Sequence, residues 1–249
     1  MEPRERIILS LDVDSVDRAA GLVEQLTPYV GLFEIGLEFI NTMLAALITP
    51  EKRMASIAEL WAIREIFRLL DGKVFWDGKF DDIPNAVAGA SAQVAKIGVR
   101  MFNVHASAGR EAVTQAVANK GNSLVLGVTV LTSLDLEECR FIFGDIPELK
   151  VCNLARMLAD VEADGIICSP QELKILSQQP WADKLLKVVS GVRPVWAVAG
   201  GQKRVMTPRE AIEDGADYLV VGRPITQPPA EISGPVEAAM RIADEIASA

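Results

Sequence analysis

Residues 75–85 read FWDGKFDDIPN, placing Asp77, Lys79, Asp81 and Asp82 within six positions at the end of the apolar run Val74 to Trp76. Immediately afterwards, NAVAGASAQVAKIG (residues 85–98) has helical periodicity, with Pro84 suited to the first turn. The charges therefore sit at a strand-to-helix junction rather than in a solvated loop. If residues 74–80 are extended, side chains alternate between faces, so Asp77 and Lys79 share one face roughly 6 to 7 Å apart along the strand. That spacing allows a charged pair aimed at a ligand.

Outward from this junction the same pattern recurs. Eight short, β-branched or apolar runs punctuate the chain: RIILSLDV, LFEIG, KVFWDGKF, MFNVHA, LVLGVTVL, GIICS, LKVVSGV and YLVVGRP. Between them lie segments of helical period, such as SVDRAAGLVEQL, MASIAELWAIREIFRLL, GREAVTQAVANK, ELKVCNLARMLADVEAD and TPREAIEDGA, and GPVEAAMRIADEIASA closes the chain. Strand then helix, eight times over, predicts an α/β protein of the (β/α)8 barrel type, with residues 1–249 forming one domain. A doubly wound open sheet is the alternative, but the first strand runs into SLDVDSVDRAA, which has aspartates where a dinucleotide fingerprint needs glycines.

Composition narrows the function classes. A net charge of −9 disfavours broad contact with nucleic-acid backbones. No apolar run reaches the roughly 18 residues of a membrane span, and MEPRERIILSLDV passes from charges into a strand without a cleavage-site pattern. Cys139, Cys152 and Cys168 are odd in number and lack CxxC spacing, which suits buried thiols in a reducing cytoplasm better than disulfides or zinc.

Barrel chemistry gathers at the C-terminal ends of the strands. Those ends supply Asp12, Glu34, Asp77 with Lys79, Asn103 with His105, Thr132, Ser169, Arg193, and Gly222 with Arg223. Acid comes from the first three strands and cation from the last two. Gly222 lets a ligand approach the backbone and Arg223 offers a guanidinium beyond it, where barrels often bind phosphate. The stretch GVRPVWAVAGGQKRVMTP, with Gly200, Gly201 and Gln202, has the composition of a closing loop. A lysine flanked by carboxylates suits a proton donor. Such a donor can quench a carbanion left by decarboxylation, while the carboxylate beside it repels a substrate carboxylate until carbon dioxide departs.

Several ordered blocks carry a family resemblance: LDV, DGKFDDIPN as D-x-K-x-x-D-I-P, NVHAS, VTVLTS, CSPQE, GQKRVMTP and DYLVVGRPIT. Over nearly its whole length the chain resembles the orotidine 5'-phosphate decarboxylase family. The resemblance implies a homodimeric barrel with active sites at the interface. It also implies conversion of orotidine monophosphate to uridine monophosphate without a cofactor. Lys79 would protonate C6 of the pyrimidine, Asp77 would adjoin the leaving carboxyl group, and Asp82 would reach into the partner's site. Asp12 would bind ribose hydroxyls and Thr132 the pyrimidine, with Gln202 and Arg223 gripping phosphate. His105 is expected to be structural or supporting.

Three positions depart from the family pattern. Glu34 stands where lysine is usual, Ala86 where threonine is usual, and Ser190 where proline is usual. Glu34 sets four carboxylates, with Asp12, Asp77 and Asp82, against Lys79, and such a cluster must take up a proton or gather a cation. The related sugar-phosphate branch, 3-keto-gulonate 6-phosphate decarboxylase and 3-hexulose-6-phosphate synthase, carries glutamate here. There it helps the first aspartate of D-x-K-x-x-D to bind Mg²⁺, an ion suited to oxygen ligands. Two alternatives thus stand beside orotidine monophosphate decarboxylation. One is a Mg²⁺-dependent sugar-phosphate decarboxylase or aldolase using Glu34 and Asp77. The other is a nucleotide-binding barrel with impaired catalysis. The segment INTMLAALITPEKRMASIAEL after the second strand is longer than expected, with no role legible in it.

Overall fold

The computed structural model describes residues 1–48, 55–197 and 206–249. Its strands are β1 (Ile7–Ser10), β2 (Leu32–Ile35), β3 (Val74–Phe80), β4 (Met101–His105), β5 (Leu124–Val128), β6 (Gly165–Cys168), β7 (Leu186–Ser190) and β8 (Tyr218–Val221). They pair in parallel in sequence order, and β8 closes on β1 through the register Leu9↔Val221, so the sheet is a closed barrel. The (β/α)8 expectation therefore holds, and the open doubly wound sheet is excluded.

The helices are α1 (Val16–Leu26), α2 (Leu37–Ile48), α3 (Ala55–Leu70), α4 (Pro84–Ile97), α5 (Arg110–Ala118), α6 (Leu136–Phe143), α7 (Pro147–Asp160), α8 (Leu173–Ser177), α9 (Pro208–Glu213), α10 (Arg223–Thr226) and α11 (Pro235–Ala247). Residues 40–48 of the long segment after β2 belong to α2, and residues 55–60 to α3. The 49–54 portion of that segment lies outside the described residues. Local chemistry fixes the helix starts. Ser15 caps α1 by accepting from the Arg18 amide, Pro84 and Pro147 occupy first turns, and Thr207 and Glu210 form a reciprocal box at α9. No helix among the described residues is long and apolar enough to cross a membrane.

Two layers of packing follow from the strand period of two. One face of each strand packs outward against helices, as Phe33, Phe102 and Leu219 do in the larger core. The other face fills the barrel interior with Ile8, Leu32, Phe75, Met101, Leu126, Val188 and Tyr218, a separate cluster. Sealing such a side chain from water contributes about 1.5–3 kcal/mol. Two residues further along the same inward face, Ile8 gives way to Ser10, Leu32 to Glu34, Phe75 to Asp77, Met101 to Asn103 and Val188 to Ser190. All five are polar, and Ser10, Glu34, Asp77 and Asn103 are buried.

One expectation about β3 needs correction. Residues 74–80 are not evenly extended. The ladder to β4 runs Phe75↔Met101 and Trp76↔Phe102, then jumps to Phe80↔Val104, and Lys79 has φ +47. The strand bulges at Gly78–Lys79, so simple alternation does not place the lysine. Glycine is needed at position 78, because a Cβ there would lie 2.8 Å from Trp76 Nε1 and 2.9 Å from Phe80 Cε1.

Candidate active site

A cavity of about 530 Å³ opens at the C-terminal mouth of the barrel. Asp12, Glu34, Asp77, Lys79, Thr132, Gly222 and Arg223 all line it, so the fold gathers seven of the nine residues expected to bind or act on the substrate. Of the other two, Asp82 is exposed, accepts from the Ile83 amide at 2.7 Å, and is absent from that lining. Gln202 lies outside the described residues, as do Gly200, Gly201, Lys203 and Arg204.

The acidic wall is built from β1, β2 and β3. Asp12 stands two residues beyond β1, and its Oδ2 accepts from Ser10 Oγ at 2.8 Å. Glu34 is 9 % and Asp77 7 % exposed. The loop side of β2 is open because position 36 is glycine: a Cβ there would meet Asp12 Oδ1 at 3.3 Å and Asp77 Oδ2 at 3.8 Å. Asp77 is held from both sides, with Oδ2 accepting from Lys79 Nζ and Oδ1 from Asn103 Nδ2. The expected Asp77–Lys79 pair is present, although a bulge rather than an even strand creates it.

Burial, and after it the Asp77 charge, pushes the Glu34 carboxyl up from 4.5 to about 8. A hydrogen bond with Ser10 works in the opposite direction, while the hydrogen bond with Asp77 and the Asp12 charge add to the rise. These influences favour the neutral acid form of Glu34 in the folded chain. A proton is thus one way to relieve the carboxylate crowding expected from the sequence.

The Mg²⁺ alternative is not favoured. Lys79 and Asn103 each hydrogen-bond one Asp77 oxygen. Among the described residues, no group of three or more His, Cys, Asp and Glu side chains could hold a metal ion.

Beyond the β1–β8 seam, β8 and β7 bring Arg223 and Arg193 to the same cavity, the former in the first turn of α10 beside Gly222. Two guanidiniums thus line the cavity together with the acidic wall, as expected of an anion grip. His105 ends β4 half-buried. Burial lowers its imidazole from the usual value, with the Asp81 charge opposing that shift. Ser169 lines an adjacent cavity instead, and its amide donates to Glu172 Oε2 at 2.8 Å as part of a helix cap. Cys139 and Cys168 are buried, Cys152 is partly so, and none of the three is in a disulfide.

Asn103 is the site residue whose role the sequence did not disclose. Its place at the end of the fourth strand was read from the sequence, but it lies behind the cavity lining and its two contacts depend on the β3 bulge.

A profile described as "Orotidine 5'-phosphate decarboxylase / HUMPS family" matches residues 5–242. The chain belongs to the orotidine 5'-phosphate decarboxylase / HUMPS family. Among relatives, a protein of Moorella thermoacetica named orotidine 5'-phosphate decarboxylase is 37% identical over 99% of this chain and 94% of its own length. A Gloeothece citriformis protein of the same name is 39% identical over 98% of each chain. The crystal structure of orotidine 5'-phosphate decarboxylase from Lactobacillus acidophilus superposes with a TM-score of 0.76 at 28% identity, covering 96% of this chain and 98% of that one.

Proposed function

We propose that this chain is a carboxy-lyase that converts orotidine 5'-monophosphate to uridine 5'-monophosphate and carbon dioxide, a step of pyrimidine biosynthesis. The observation that carries this reading is the Asp77–Lys79 ion pair in a cavity that Arg193 and Arg223 also line. The near full-length likeness to relatives bearing that enzyme's name supports it.

In this reading the substrate phosphate lies against Arg223, with Gln202 assisting, and Asp12 engages ribose hydroxyls. Thr132 contacts the pyrimidine, and the substrate carboxylate lies beside Asp77. The bond from C6 to the carboxyl carbon breaks, its electron pair stays on C6, and carbon dioxide leaves. The Lys79 ammonium delivers its proton to C6, completing the product. Asp77 repels the substrate carboxylate more than the departing neutral molecule, so its charge favours bond cleavage. Neutral Glu34 adds no further anion to that wall. No cofactor enters the sequence of steps.

Asp82, exposed and outside its own cavity, is assigned to the site of a second subunit in a homodimer. The three free cysteines suit a reducing cytoplasm.

The direct test follows the ultraviolet absorbance of orotidine 5'-monophosphate with purified protein. A spectral change to that of uridine 5'-monophosphate is expected, and an unchanged spectrum at micromolar enzyme rejects the reading. Glu34→Lys should raise turnover by adding a second cation beside the developing carbanion. A Mg²⁺-dependent enzyme would instead lose activity on that substitution.

A further inference from the structure

Asn103 is buried to 1 % exposure and meets both members of the charged pair, yet the proposed chemistry gives it no task. We propose that Asn103 is a positioning residue: its amide locks the β3 bulge that presents Lys79 and fixes which oxygen of Asp77 the lysine engages. This inference rests on the decarboxylase reading for its kinetic consequences, but its geometric content can be tested separately.

The bulge creates the requirement. Between Trp76↔Phe102 and Phe80↔Val104, β3 advances four residues while β4 advances two, so the Lys79 amide has no place in the regular ladder. Asn103 Oδ1 accepts from that amide at 2.8 Å, taking the role a ladder carbonyl would play. Its Nδ2 donates to Asp77 Oδ1, leaving Oδ2 to the lysine ammonium. One side chain thereby holds the backbone of the donor and the carboxylate of its partner. Lys79 occupies the left-handed region at φ +47, which a residue with a side chain adopts only when its surroundings enforce it.

The amide is chemically specific for this double contact. Leucine has similar volume but offers neither donor nor acceptor. Aspartate can accept from the Lys79 amide, but it sets a second carboxylate against Asp77 and supplies no donor. Glutamine has both groups on a chain one methylene longer, in an interior filled by Met101 and its neighbours. The two partners also fix the amide's orientation, since an N–H must meet oxygen and a carboxylate must meet nitrogen.

The experiment compares wild type, Asn103→Leu and Asn103→Asp in three measurements: kcat for orotidine 5'-monophosphate, Kd for uridine 5'-monophosphate, and crystal structures of the variants. The expected outcome is a fall in kcat of about 100-fold or more in both variants, with Kd within about threefold of wild type. Lys79 should leave the left-handed conformation in the Leu variant. Near-wild-type kcat, or kcat and Kd worsening together, overturns the proposal, as does an unmoved Lys79 in the Leu variant. If Asn103→Leu fails to fold, the isosteric Asp variant decides by the same split between kcat and Kd. If the wild type shows no turnover, the decarboxylase reading fails, and the conformation of Lys79 in the variant crystals still judges the role of Asn103.

Discussion

Two rungs of one barrel interior lie two residues apart and obey opposite rules. The lower rung, with Ile8, Leu32, Phe75, Met101, Leu126, Val188 and Tyr218, is apolar and closed to water. The upper rung sets Ser10, Glu34, Asp77 and Asn103 on the inward face of the same strands. Both are buried by the same backbone, so the fold alone does not decide what a position does. The lower rung supplies the stability that lets the upper rung keep a crowded set of carboxylates, an expensive arrangement in a low-dielectric interior.

If that division is right, substitutions on the two rungs should separate activity from stability. The largest effect belongs to Lys79→Ala, which removes the proton donor. Turnover of orotidine 5'-monophosphate should fall by about 10⁴-fold, while uridine 5'-monophosphate still binds through Arg193 and Arg223. Isothermal titration and the ultraviolet assay together check it. Survival of more than a tenth of the activity would mean that the donor lies elsewhere.

Met101→Ala is the counterpart from below. Met101 is fully buried and does not line the cavity, so its loss removes packing and no reacting group. Chemical denaturation should show a loss of about 2–5 kcal/mol, with kcat per folded molecule nearly unchanged. A selective loss of kcat at full stability would erase the distinction between the rungs.

The two rungs also differ in how legible they were. Eight alternations of strand and helix carried the barrel, and strand ends led to Asp12, Glu34, Asp77 and Lys79, whereas the apolar filling of the interior was not read. The bulge was hidden because the left-handed residue is Lys79 itself, while the glycine signal sits one position earlier, at Gly78. Asn103 was visible as a position and silent as a function, since its partners belong to another strand in a non-ladder register. Helix α6 escaped notice because LEECRFIF leaves Phe141 92 % exposed and so lacks a clean apolar face. The reciprocal capping box of Asp135 and Glu138 was the signal that could have marked its start.

A third substitution tests the cationic side of the cavity, at the ends of β7 and β8. Arg223→Ala removes a charged phosphate contact and should weaken uridine 5'-monophosphate binding about ten- to a hundredfold, with a smaller effect on the nucleoside uridine. Equal losses for nucleotide and nucleoside would show that Arg223 does not read the phosphate.

The smallest effect concerns the proton on the upper rung. Burial first, and then Asp77, raises the Glu34 carboxyl from 4.5 to about 8 in the folded chain, with Asp12 adding to the rise and Ser10 opposing it. Between those values the folded state holds a proton that the unfolded chain has released. The stability from Glu34 is therefore fully present below about pH 4.5 and is lost as pH rises through about 8. From pH 6 to pH 7 this linkage should lower the unfolding free energy by about 1 kcal/mol. Glu34→Gln keeps the neutral shape and lacks the titration, so its stability should fall less over the same interval, by that amount. Denaturant unfolding at the two pH values, wild type against variant, measures the difference. Parallel curves would show that Glu34 is ionised in the folded protein, and the upper rung would then need a cation rather than a proton to hold its carboxylates together.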